Sequence, residues 1–367
     1  MQAREAKYMT VVQWVQEQIE NGSIGMGDKL PSENEMSLQF HLSRQTIRHA
    51  IDVLEQRKLV TRIQGSGTYA GVCARGGSQE KYFNIAVIST YVDSYIFPAV
   101  LKGIERVLSK SGYTMQVAFT GNRTEREREA LDKILDKGLI DGLIVEPAKS
   151  ALPNPNLHYY KKLMGQQVPI LFFNSRYPEL NLPCVSLNDA LVGEEAAEYL
   201  IQAGHKEIGG IFKCDDGQGH LRYSGFAKSM EKADLKLDGK RILWIDSESL
   251  KDMESWADYL FQRLEGCTGV VCYNDEVANL LSGICLKRGI RIPEDLSLVS
   301  IDNSDLATLG EVPITSFPHP MEALGRKVAE NMIKLIENPS FDGNYLFDSE
   351  AVERESVKFM RKENSNE

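Results

Sequence analysis

From residue 83 onward, short unbroken apolar runs recur between amphipathic stretches, and this alternation restricts the fold more than any other feature of the 367-residue chain. The runs lie at residues 85–88, 142–145, 170–173, 208–212, 242–245, 269–272 and 298–301. Between them, residues 99–108, 190–201 and 276–287 space their apolar side chains as helices do. A strand that is apolar throughout must be covered on both faces, which implies parallel sheets flanked by helices. The fold class is therefore α/β, and about 280 residues of this pattern suit two subdomains better than one core.

In such sheets a ligand sits beyond the carboxyl ends of the strands, and polar and aromatic residues collect there. Thr90, Tyr91, Asp93, Tyr95 and Phe97 follow the first run, Glu146 and Lys149 the second, Asn174 and Arg176 the third. Asp215-Asp216, Asp246, Asn274-Asp275 and Asp302-Asn303 follow later ones. Carboxylates and amides bind vicinal hydroxyls, and rings cover the apolar face of a sugar. Taken singly, each Asp or Asn is a common first residue of the next helix, and for Asn188-Asp189 that capping role is preferred. Taken together they describe a polar ligand cleft.

Residues 1–70 follow a different pattern. Residues 6–20 read as a helix with Val11, Val12, Val15 and Ile19 on one face, stopped at Asn21-Gly22. Ser32 and Glu35 form a Ser-x-x-Glu capping box for a second helix, with Met36, Leu38 and Phe40 expected near the core. Ser43 caps a third, in which Ile47, Ala50, Ile51 and Leu54 face inward. Gln45, Arg48 and His49 then point outward, flanked by Arg44 and Thr46. Arg and Gln pair bidentately with guanine and adenine edges. Residues 59–63 and 68–70 flank Gln64-Gly65-Ser66-Gly67 as a hairpin with a glycine-rich tip, where backbone amides can approach a phosphate or groove wall. This is the layout of a winged helix-turn-helix. Residues 71–82 are small and polar, as a linker is.

The chain carries a formal charge of −10, yet its first 72 residues hold eight basic and eight acidic groups. DNA recognition must then rest on placed groups rather than on a bulk positive excess. Hydrophobic content of 42% and charged content of 26% suit a soluble protein, with no run long enough to span a membrane. The N-terminus shows no apolar signal core, so a cytoplasmic location is expected. The six cysteines include no Cys-x-x-Cys pair and read as buried thiols; the six histidines show no metal spacing. There is no phosphate-binding Gly-Lys-Ser/Thr loop and no nucleophile elbow, so neither an enzyme nor a cofactor is expected.

Residues 5–72 resemble the DNA-binding domain of the GntR family. The likeness is carried by Leu30-Pro31-Ser32-Glu33-x-Glu35, Leu42-Ser43-Arg44-x-Thr46-Ile47-Arg48, Leu54, Leu59 and Gly65-x-Gly67-Thr68-Tyr69. It implies DNA contacts from Lys7, Ser32, Glu33, Ser43, Arg44, Gln45, Thr46, Arg48, Gln64, Gly65 and Gly67. Lys58 departs from the glycine usual before the wing.

Residues 83–360 resemble the LacI/GalR effector domain, itself similar to periplasmic sugar-binding proteins. The carriers include Ile140-Asp141-Gly142-Leu143-Ile144, Ala203-Gly204-His205, Arg222-x-x-Gly225-Phe226, Tyr273-Asn274-Asp275-x-x-Ala278 and Ile292-Pro293-Glu294-Asp295 through Asp302. The resemblance implies two subdomains within residues 83–367, with chain crossings near 186, 318 and 340. Its effector contacts would be Thr90, Tyr95, Phe97, Glu146, Lys149, Asn174, Asp216, Arg222, Asn274, Asp275 and His319. Asn174 stands where many members have Asp.

Joining these two parts in one chain resembles the arabinose-responsive repressors of Gram-positive bacteria. Tyr91-x-x-Ser94-Tyr95-Ile96-Phe97-Pro98, residues 144–152 and Gly210-Ile211-Phe212-Lys213-x-Asp215-Asp216 carry that likeness. It implies a homodimer on a pseudo-palindromic operator, released by a small sugar, L-arabinose. The residues themselves require only a small polyol, so another pentose, a hexose or a nucleoside stays open. A sugar-transforming enzyme and a transport-type binding protein are the rival classes.

Overall fold

The structure, a computed structural model, describes residues 7–20, 23–25, 28–57, 59–63, 67–70, 81–92 and 95–360. The chain divides into two compact units, one of Met1–Lys81 with Tyr160–Val168 and the other of Tyr82–Tyr159 with Pro169–Glu367.

In the first unit, helices α1 (Lys7–Glu20), α2 (Glu33–Phe40) and α3 (Arg44–Gln56) precede strands β1 (Val60–Ile63) and β2 (Gly67–Ala70). The strands pair antiparallel, Val60 opposite Ala70. Lys29 bridges to Tyr69, and Leu30 N–H donates to Thr68 O at 2.8 Å, adding a short third rung to the wing. Val11, Val12, Val15, Met36, Ile47, Ala50, Ile51 and Leu54 form the buried core. Leu38 corrects the sequence reading, since it is 76% exposed. Two residues on from Met36 it is rotated about 200° around the helix, and α2 is only eight residues long. Phe40 is half-buried, with its ring edge-on to Trp14 at 5.3 Å.

The second unit holds two parallel sheets. One has six strands: β3 (Asn84–Ser89), β4 (Thr114–Phe119), β5 (Gly142–Val145), β6 (Ile170–Phe173), β7 (Cys184–Leu187) and, from far along the chain, β13 (Tyr345–Phe347). Their spatial order is β13-β7-β6-β5-β3-β4. The other has five strands, β8 (Ile208–Lys213), β9 (Ile242–Ile245), β10 (Gly269–Cys272), β11 (Ser297–Asp302) and β12 (Thr315–Pro318), in the order β12-β11-β10-β8-β9. Helices α4 (Phe97–Lys110), α5 (Thr124–Lys137), α7 (Asp189–Gln202), α8 (Gly217–Lys232), α9 (Ala257–Arg263), α10 (Asp275–Lys287), α11 (Leu306–Leu309) and α12 (Met321–Glu337) alternate with them, while α6 (Leu157–Gly165) is divided after Tyr159 between the two units.

Two helix pairs pack closely, and glycines permit it. A Cβ on Gly103 of α4 would lie 2.4 Å from the Glu322 carbonyl oxygen, and one on Gly225 of α8 would lie 1.9 Å from that of Ala190. Leu324, Val328, Ala329 and Met332 of α12 thereby join Ile85, Val87, Val100 and Ile104 in the core of the first subdomain. The chain passes between subdomains after β7, after β12 and after β13. The third passage follows residue 347 instead of 340, because Tyr345–Phe347 still pairs with β7 while Val352 already bridges to Ser316 of β12.

Candidate functional site

On the first unit, Ser32 Oγ accepts from Glu35 N–H at 3.2 Å, while Glu35 Oε2 accepts from Ser32 N–H at 2.7 Å. Ser43 Oγ accepts from Thr46 N–H at 3.2 Å and sits 2.8 Å from Thr46 Oγ1. These caps start α2 and α3 cleanly and bring the first turn of α3 to the surface. Arg44, Gln45 and Arg48 are exposed there, as is Lys7 at the start of α1. Arg48 donates through Nε and Nη2 to both oxygens of Glu33, at 3.3 and 3.0 Å, and this contact raises its pKa. Two expected DNA contacts are thus paired with each other, the carboxylate orienting the guanidinium. Behind them Arg62 of β1 donates to Asp52 at 2.5 Å and to the Arg48 carbonyl at 3.0 Å, tying the wing to α3. Gly67 is exposed at φ +135°, a conformation that favours glycine. Gln64, Gly65 and Lys58 lie outside the described residues.

In the second unit the strand ends converge into three connected polar groups. The first runs from β3 to the segment after β12. Glu146 is buried, and its Oε2 accepts from Thr90 N–H at 2.9 Å, Thr90 Oγ1 at 2.5 Å and Ser89 Oγ at 3.2 Å. Its Oε1 accepts from Asn174 Nδ2 at 2.7 Å. Burial raises the Glu146 pKa despite these donors. With the Asn174 nitrogen committed to Glu146, its oxygen is the acceptor for His319 Nε2 at 3.1 Å. That leaves His319 Nδ1 buried without a partner among the described residues, and burial pulls the imidazole down to about 4.

The second group centres on Arg222, which is 1% exposed. Its Nε donates to Asp189 Oδ1 at 2.8 Å, Nη1 to the Tyr273 carbonyl at 2.5 Å, and Nη2 to Asp302 Oδ1 at 3.2 Å. The guanidinium also lies 4.8 Å from the Tyr273 ring centre. From the other subdomain, Tyr95 donates its hydroxyl to Asp302 Oδ2 at 2.6 Å and accepts from Asp275 N–H at 3.2 Å. Burial, followed by the nearby Asp302 carboxylate, holds the Tyr95 phenol well above its ordinary value. Asp275 accepts from Ser304 N–H at 2.6 Å and Ser316 Oγ at 2.6 Å, and burial pushes it up to about 6.

The third group joins Lys149, Lys213, Asp215, Asp216 and Tyr273. Lys213 Nζ lies 2.9 Å from Asp216 Oδ2, which also accepts from Tyr273 Oη at 3.0 Å, while Lys149 Nζ lies 3.6 Å from Asp215. Burial pulls the Lys213 pKa down, but Asp216 and Asp215 outweigh it and the net shift is upward.

The expected residues Thr90, Glu146, Asn174 and His319 thus form one chain of bonds. Tyr95, Arg222 and Asp275 meet in a second cluster, and Lys149 and Asp216 belong to the third. Asn274 caps α10, accepting from Val277 N–H at 3.1 Å, and the Phe97 ring stands 5.3 Å from Tyr91. Asp189 is no simple cap: Asn188 caps α7, accepting from Leu191 N–H at 3.4 Å, and Asp189 holds Arg222. Sequence reasoning missed Asp189, Tyr273 and Lys213 as site members and left Asp302 unassigned. A lysine closing the apolar run of β8 was the one legible signal among them.

Comparison with known proteins agrees with this division. The gntR family of bacterial regulatory proteins matches residues 7–70, and the periplasmic binding protein-like domain matches residues 197–357. The chain is 36% identical to the arabinose metabolism transcriptional repressor of Geobacillus stearothermophilus, over 96% of this chain and 98% of that one. It is 37% identical to the protein of the same name from Halalkalibacterium halodurans, over 92% and 91% of the two. Among solved structures, transcription regulator CcpA of Lactococcus lactis shares the fold with a TM-score of 0.68 at 23% identity, over 75% of this chain and 99% of that one.

Proposed function

Because the chain belongs to the family of the arabinose metabolism transcriptional repressors, we propose that it silences arabinose-utilisation genes and leaves its operator when L-arabinose enters the cleft. The observation that carries this reading is one chain holding both an exposed Arg44-Gln45-Arg48 helix turn and a buried cluster of polar groups fed by strand ends of two sheets. The first arrangement suits base edges and the second suits a small polyol. Arg48, Gln45 and Arg44 read the major groove. Arg222, Glu146, Asn174, Asp216 and His319 bind the sugar, with His319 Nδ1 as a ready acceptor for a hydroxyl. A two-fold dimer places one α3 in each half of a pseudo-palindromic site. The protein works in the cytoplasm with its DNA, and we assign it no catalytic step and no cofactor.

Binding of operator and of sugar must weaken each other by the same factor. The test is operator affinity of the full chain at fixed salt, titrated with L-arabinose, D-xylose, D-ribose and D-glucose. L-arabinose alone should release DNA at low concentration. Equal operator affinity with and without every sugar would sink the reading, and release by another sugar would reassign the effector.

A further inference from the structure

The three passages between subdomains leave from β12 and β13, which are edge strands, and from β7, which lies beside β13, so a rotation of one subdomain against the other pivots at that edge. The opposite edges are β4 and β9. Asn122, just after β4, is 2% exposed, and its Nδ2 donates to Oγ of Ser247, just after β9, at 2.7 Å. The Ser247 hydroxyl donates onward to Asp215 Oδ2 at 2.8 Å. Asn122 Oδ1 accepts from Lys149 N–H at 2.6 Å, and Lys149 Nζ stands 3.6 Å from Asp215 Oδ2. Asn122 has φ +56°, a left-handed conformation that asparagine tolerates better than most residues. Asn122 and Lys149 come from one subdomain, Asp215 and Ser247 from the other, and the Asn122–Ser247 hydrogen bond joins the two directly.

We propose that Asn122, Lys149, Asp215 and Ser247 form a latch at the mouth of the cleft, positioning residues that favour the closed form and so set how much sugar is needed to complete closure. A rotation about the hinge edge displaces the mouth furthest, so these bonds break first on opening. Ligand shifts such an equilibrium only by its differential affinity for the two forms. A latch that biases closure in advance therefore lowers the concentration required. Losing one such hydrogen bond changes the balance about three- to ten-fold.

The sugar-dependent half of this proposal rests on the repressor reading above, and the test separates the two. Full-length Asn122→Asp and Ser247→Ala are compared with the wild-type chain by small-angle scattering without sugar, and by the L-arabinose midpoint for operator release. Each variant should show a larger radius of gyration and a midpoint raised about three- to ten-fold, with the double variant no worse than the larger single effect. Ser247→Ala removes one oxygen and carries the test where Asn122→Asp disturbs folding. Unchanged scattering and midpoint in folded Ser247→Ala overturn the latch. Expanded variants of a chain indifferent to L-arabinose overturn the sugar reading and keep the latch.

Discussion

Arg48 and Arg222 are both guanidiniums paired with carboxylates, but they sit in opposite surroundings. The side chain of Arg48 is 64% exposed and leans on one partner, Glu33. Arg222 is 1% exposed and divided among Asp189, Asp302 and the Tyr273 carbonyl. Water screens the first pair, which orients the Arg48 guanidinium at little energetic consequence. The second pair lies where no water compensates a missing partner, so it is part of the fold as well as of the site. One surface can be altered for recognition alone; the other cannot be touched without touching stability.

The widest gap between the two should appear on truncation. Arg222→Ala strands two buried carboxylates and should cost about 3–5 kcal/mol in denaturant unfolding of the effector unit. A loss below about 1 kcal/mol would put Arg222 in the same class as an exposed pair. Next comes His319, neutral when folded but charged when unfolded below its ordinary value of about 6.5. Its contribution is present above that pH and lost as pH falls toward about 4. The stability difference between wild type and His319→Gln should therefore shrink by up to about 3 kcal/mol across that window. Asp189 and Asp275, pushed up to about 6, titrate in both proteins and leave the difference intact. A flat difference would mean that His319 is as well hydrated as the reading face. Arg48→Ala should weaken operator binding roughly ten- to hundred-fold, the size of one lost base contact, with the unfolding midpoint unmoved. A shifted midpoint would erase the contrast drawn with Arg222. Smallest is Ser32→Ala, which removes the α2 cap and should cost about 1 kcal/mol, read from thermal unfolding of the DNA-reading unit.

The same contrast explains what could be read beforehand. The periodicity that marks Ile47, Ala50, Ile51 and Leu54 as inward is a local property, and all four are fully buried. The capping box and the seven apolar runs are local too, and each run coincides with a strand. Strands β4, β7, β12 and β13 escaped notice for a physical reason. β4 is an edge strand with no buried residue, and β12 buries Thr315 and Ser316 because their polar atoms find partners elsewhere in the chain. Hydrophobic runs do not reveal a buried hydroxyl whose partner is 41 residues away. Asp189 illustrates the same limit, since a carboxylate at a helix start looks like a cap until Arg222, 33 residues on, is seen beside it.

The route of the chain through the effector unit has a consequence for its synthesis. The core of the first subdomain includes Leu324, Val328, Ala329, Met332 and Leu335, and its sheet ends with Tyr345–Phe347. A ribosome that has made residues 83 to 187 has made most of that subdomain, yet none of the helix that seals it. The DNA-reading core, drawn from residues 11 to 70, has all its parts at once. Domains fold as units during synthesis, N-terminal first. The first unit's core is therefore complete while the second unit still waits for its final segment, and a message cut short before residue 321 yields that core joined to a subdomain without the helix that seals it.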